Sequence, residues 1–159
     1  MKYSDDLFDE NHNLKFASIF GVLCGIASGL AAVYSPEAAY IFLAILIGNL
    51  IILKVDGMHH ILALIVFFVI FLIGGIPELN LVILLACILG AISDEVGHEM
   101  ISSLTQNKFM NLFFEYRFVM KIVILLLVLC GALNIWIFVC FMLFEISYVC
   151  GGLVFNNFN

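Results

Sequence analysis

Charge is what this sequence has least of. Only 11% of its 159 residues are charged, six Lys or Arg and twelve Asp or Glu, where a soluble domain carries about a quarter. That composition argues against a soluble single-core protein. The net charge of −6 and the lack of any basic patch argue against nucleic acid as a partner. There are two prolines, so little interrupts the apolar runs. No stretch alternates polar and apolar residues over strand lengths, which excludes a β-barrel. The five cysteines (Cys24, Cys87, Cys130, Cys140, Cys150) form no Cys-x-x-C pair and all sit inside apolar runs. They are expected to be buried free thiols acting as small hydrophobes. A cleavable signal is missing too: the opening segment is acidic (Asp5, Asp6, Asp9, Glu10), not basic, with no A-x-A site before the first apolar run. The first apolar helix is expected to serve as an uncleaved signal.

What remains is 65% hydrophobic, with a mean hydropathy of +1.21. The apolar runs are helix-length, which predicts an all-α polytopic membrane protein. Six spans are expected, at 16–34, 38–55, 59–75, 79–103, 117–131 and 134–149. An acidic cytoplasmic segment, 1–15, precedes the transmembrane domain 16–150. A cytoplasmic loop, 104–116, with Phe109, Leu112, Phe113, Phe114 and Tyr116, reads as an interfacial helix. The polar tail 151–159 is expected to be loosely ordered. Ser35-Pro36-Glu37 reads as N-cap, N1 and N2 of the second span, with Glu37 complementing the helix N-terminus. Gly21, Gly25 and Gly29 recur every four residues in the first span. That ridge allows close backbone approach to another helix, in the same chain or in a second copy through a homo-oligomer.

With six spans, all six basic residues (Lys2, Lys15, Lys54, Lys108, Arg117, Lys121) fall on one side and none on the other. The positive-inside rule makes that side cytoplasmic and places both termini there, in a multi-pass protein of the cell membrane. Pro36-Glu37 and Pro77-Glu78 open the second and fourth spans, and each is followed by an Asp with a His four residues later (Asp56/His60, Asp94/His98). This pattern suggests repeated helical hairpins.

The polar residues that remain are concentrated. Asp94, Glu95, His98 and Glu99 fall within six residues, and Asp56, His59 and His60 within five. At a rise of about 1.5 Å per residue, Asn49, Asp94 and Glu145 lie roughly 17–22 Å from the non-cytoplasmic turns, inside a hydrocarbon core about 30 Å thick. Ionisable groups at that depth need partners and mark candidate sites. Asp56-x-x-His59 and Glu95-x-x-His98 share the carboxylate-x-x-histidine spacing that binds metal pairs in helical bundles. We take Asp56, His59, His60, Asp94, Glu95 and His98 as candidate metal ligands, with Glu99 and Glu145 as candidate acid–base groups. Mixed imidazole and carboxylate donors favour a divalent transition metal, Zn, Fe or Mn. Such an ion can activate water or polarise a phosphoryl oxygen.

Structural explanations stand beside these. Asp56 before Gly57 suits an N-cap. Asp94 to Glu99 suit a solvated helix end, and Asn49 suits interhelical hydrogen bonding. Arg117 and Lys121 suit interfacial anchors. No known motif set is complete: His98-Glu99 lacks the second histidine of His-Glu-x-x-His, and His12, His59, His60 and His98 are too few for a membrane desaturase. The expected function is a metal-dependent enzyme working at the cytoplasmic leaflet on a lipid-like substrate, with membrane lipid as its surroundings. The alternatives are a small-cation or proton-coupled transporter and an accessory membrane subunit.

Overall fold

The structure is a computed structural model that describes residues 2–9, 14–53, 55, 57–104 and 108–158. Among the described residues it is all-helical: α1 (Lys2–Asp9), α2 (Leu14–Tyr34), α3 (Pro36–Ile51), α4 (Met58–Gly74), α5 (Leu81–Leu104), α6 (Lys108–Glu115), α7 (Phe118–Leu129) and α8 (Ile135–Phe158). Three stretches, Leu14–Tyr34, Leu81–His98 and Ile135–Val154, are long and apolar enough to cross a membrane. The apolar helices α3, α4 and α7 are shorter, at 16, 17 and 12 residues. Large apolar side chains stand exposed along these helices, among them Leu23 and Leu30 of α2, Ile65 and Leu72 of α4, and Trp136 and Leu143 of α8. Water would penalise such faces and lipid does not, so the helices are compatible with a multi-pass membrane protein.

The chain divides into two compact units. One comprises Met1–Ser35, Val55–Pro77 and Val139–Asn159, the other Pro36–Lys54 and Glu78–Phe138. The first is built on α2 against α4. Gly21 faces His59, Gly25 faces Ala63, Gly29 faces Phe67 and Ile70, and Val33 faces Gly74. Both series ascend together, so the two helices run parallel. A β-carbon on Gly21 or Gly25 would stand 2.5 Å from the carbonyl oxygen of His59 or Ala63. Only glycine permits that backbone approach, and the ridge expected from the sequence is therefore buried against α4 of the same chain. Phe67 and Phe71 are buried and stacked, with ring centroids 5.5 Å apart. The short α1 lies on α2, where buried Ser4 donates from Oγ to the Ala17 carbonyl at 2.7 Å and Leu7 packs on Ala17.

In the second unit α3 and α5 are also parallel. The Tyr40 hydroxyl accepts the Asn80 N–H at 2.7 Å near one end, and Gly48 faces Ala91 near the other. Helix α7 runs antiparallel to α5, with Val123 opposite Gly90 and the start of α7 opposite Asp94. Helix α6 occupies the expected interfacial segment, and its Phe114 ring packs on Gly97 of α5. Glu37 accepts the Asn134 backbone N–H at 2.8 Å, so it serves the chain's approach to α8 as well as the first turn of α3.

Two details differ from expectation. Helix α8 continues through Gly151 and Gly152 to Phe158 in place of a loose tail. Each glycine costs about 1 kcal/mol in a helix relative to alanine, but no proline or charge stops the helix there, and Leu153 and Val154 resume the apolar run. Of the cysteines, only Cys87 is buried; Cys24 is half-buried, and Cys130, Cys140 and Cys150 are exposed. The exposed ones lie at the end of α7 and along α8, whose outer faces have little protein packed on them.

Candidate metal centre

Helix α4 starts just after Gly57, whose backbone is extended (φ −103°, ψ 149°) and whose lack of a side chain leaves the helix without a side-chain cap. His59 and His60 therefore occupy its first turn. The His59 ring rests against the α-carbon face of Gly57, where a β-carbon would collide with the imidazole. On its other sides lie the rings of Phe8, with centroids 4.9 Å apart, and His60, at 4.3 Å. His59 is only 2% exposed.

Between the two imidazoles stands Asp5 of α1. Its Oδ1 lies 2.9 Å from His59 Nε2 and 3.3 Å from His60 Nε2. Burial pushes the Asp5 carboxyl above its ordinary value, against the opposing pull of His60 and of the His59 hydrogen bond. His59 Nδ1 is buried and has no hydrogen-bond partner, which costs about 1–3 kcal/mol for a polar atom of this kind.

Donor chemistry and spacing both suit a metal. One ligand atom from each of Asp5, His59 and His60 lies within 4.8 Å of the others, and they are the one such trio of His, Cys, Asp or Glu among the described residues. With metal–nitrogen bonds of about 2.0–2.1 Å, donors around a tetrahedral ion stand about 3.3 Å apart, close to the separations of Asp5 Oδ1 from the two Nε2 atoms. Two imidazoles and one carboxylate favour Zn, Fe or Mn. Three protein ligands leave a position for water or substrate.

His59 and His60 were expected as ligands; Asp5 was not. In the sequence it is one more charge of an acidic segment. The local hint is the apolar Leu7-Phe8 within that segment, which gives α1 a face to dock. The Asp5–histidine contact itself joins residues more than fifty positions apart and has no local signature.

The other candidates have different surroundings. Asp94, 2% exposed, accepts the Val119 N–H at 2.9 Å on Oδ1 and the Met120 N–H at 2.7 Å on Oδ2. It thus caps the first turn of α7 from a neighbouring helix, satisfying donors that a helix start leaves open. Glu95, also buried, forms an ion pair with Arg117, the residue before α7. Arg117 takes a left-handed backbone (φ 49°), uncommon for a residue with a β-carbon, and the ion pair holds it at the α6–α7 turn. Asp94 and Glu95 are thus accounted for by protein partners. His98 is exposed on α5. Glu145 is half-buried midway along α8. Asp56 and the Glu99 side chain lie outside the described residues. His59 and His60 belong to one compact unit, and Asp94, Glu95 and His98 to the other.

Comparison of the chain with protein-family models, with curated proteins and with solved structures gave no match.

Proposed function

We propose that this chain is a six-crossing membrane protein with a divalent transition-metal centre at Asp5, His59 and His60, acting as a metal-dependent enzyme on a lipid-like substrate. The observation that carries the reading is the convergence of two imidazoles and a carboxylate from separate helices. Parallel packing supports the first four crossings. Tyr34 leaves the far end of the α2–α4 pair and Met58 re-enters at the near end, so the chain between them must return the whole length. The same reasoning applied to α3 and α5 makes α4 a return crossing. Sixteen or seventeen residues give a length of about 25 Å, slightly below the bilayer core, a mismatch that local thinning accommodates.

The metal centre sits at the end of the pair where α2 begins, near Lys15. By the positive-inside rule this end is cytoplasmic. Partly exposed Asp5 and His60 connect the site to that interface, where a lipid head group and water both have access. Bound there, the ion would supply Lewis-acid chemistry or an activated water. Asp5 and the two imidazoles would hold it, and His59, buried under Phe8, would form the dry side of the centre.

The test is reconstitution in vesicles of extracted lipid, with lipid composition followed by mass spectrometry. The enzyme reading expects conversion that stops with a chelator and in His59→Ala/His60→Ala. Identical lipid profiles with and without chelator would sink it. A second reading, a cation or proton-coupled transporter, draws on Glu145, a carboxylate midway along a candidate span. It expects ion flux that Glu145→Gln removes.

A further inference from the structure

Helix α1 has only eight residues, and isolated helices shorter than about 12–15 residues are marginal in water. Its presence as a docked helix therefore rests on tertiary ties. Those ties are the Ser4–Ala17 hydrogen bond, Leu7 on Ala17, Phe8 on the His59 ring, and Asp5 between the two imidazoles. The last tie is unusual. One carboxylate oxygen of α1 stands 2.9 Å from His59 Nε2 and 3.3 Å from His60 Nε2, so a single atom serves both imidazoles of α4.

A cation would strengthen that tie. Two ligand atoms belong to the first turn of α4 and the third to α1. An ion held by all three joins the helices directly, and its binding free energy becomes docking free energy for α1. Since Phe8 covers the His59 ring, a docked α1 also closes one side of the centre.

We propose that a divalent transition metal at Asp5, His59 and His60 works as a clasp, fastening α1 onto α4 when bound and freeing it when removed, so that metal occupancy controls access to the centre. The inference rests on the metal reading above and adds that the N-terminal helix responds to the metal. Asp5 is on this account both ligand and latch. Ser4 is a positioning residue that holds α1 in place without touching the ion.

The test is hydrogen–deuterium exchange of the full-length protein in lipid nanodiscs, followed on a peptide covering α1, with Zn(II) as the probe and its stoichiometry measured on the same sample. If the ion binds only the docked form, Zn(II) at about 100 times its Kd shifts docking by up to about 100-fold. The clasp therefore predicts exchange in α1 slowed at least about tenfold and restored by chelator. In Asp5→Asn the Zn(II)-dependent protection should vanish. In Ser4→Ala exchange should be faster without metal and slow again with it. Zn(II) bound at one per chain with α1 exchange unchanged would overturn the clasp and leave the metal centre standing. Protection that persists in Asp5→Asn would also overturn it. Absence of Zn(II) binding would overturn both. The comparison of metal-free with loaded wild type needs no variant, so a misfolded Asp5→Asn does not block the decision.

Discussion

Two acidic sites in this molecule each lie at the start of a helix and differ in partners. At the start of α7, Asp94 and Glu95 meet two backbone N–H groups and a guanidinium. At the start of α4, Asp5 meets the Nε2 atoms of two imidazoles. Backbone donors and arginine keep a carboxylate satisfied with no further ligand. Imidazoles offer lone pairs that a metal can use. The buried carboxylates of a dense charged run thus find their partners within the protein, while a sparser group split between two helices is the proposed metal centre.

The largest expected effect is at the first of these. Asp94→Ala leaves the Val119 and Met120 donors without an acceptor and should cost about 2–6 kcal/mol, at about 1–3 kcal/mol per unsatisfied buried group. Denaturation in detergent would measure it, and bound metal in the folded fraction should be unchanged. Loss of metal with stability intact would reverse the roles assigned to the two sites. Arg117→Ala comes next. It strands Glu95, whose side chain is 5% exposed, although Arg117 itself is 32% exposed. That exposure puts the cost below the range for a fully buried pair, at about 2 kcal/mol. Glu95→Gln should cost less, because it leaves the more exposed partner behind.

Gly25→Ala tests the scaffold beneath the second site. Its new methyl would press on the Ala63 carbonyl, and overpacking of this kind costs about 1–3 kcal/mol. Because Gly25 lies one turn from Gly21 and His59, metal affinity should fall along with stability.

The smallest effect on stability, and the sharpest contrast, belongs to Asp5→Asn. Burial raises the folded carboxyl's pKa, so its protonated form favours folding at low pH and that contribution is lost as pH rises through the folded value. Without metal at pH 8, Asp5→Asn should be no less stable than wild type. With Zn(II), wild type should gain stability and the variant should not. Acid should then weaken the metal-loaded wild type, because protons compete for all three ligands.

Much of the helical frame was legible in the apolar runs. Pro36 opens α3 as expected, and the ridge at Gly21, Gly25 and Gly29 announced a close helix contact, because a four-residue glycine repeat serves little else in a span. Its partner was not legible, since several helices offered small residues. The end of α8 was missed because two glycines look like a terminus when local cost is weighed without the apolar residues beyond them. The roles of Asp94 and Glu95 depend on where α7 begins, which is set by a left-handed arginine that no local pattern requires. His59 and His60 stood out as adjacent imidazoles at a helix start. Asp5 did not, because its meaning comes from the docking of a short helix across a long loop of chain.

The most direct test of the central claim is metal content by elemental mass spectrometry. Wild type, His59→Ala/His60→Ala and Asp94→Ala/His98→Ala would be purified in parallel without chelators. The account predicts close to one Zn, Fe or Mn per chain in wild type, retained in the folded Asp94→Ala/His98→Ala protein and lost in His59→Ala/His60→Ala. Metal kept by the His59/His60 variant, or absent from all three, would contradict it.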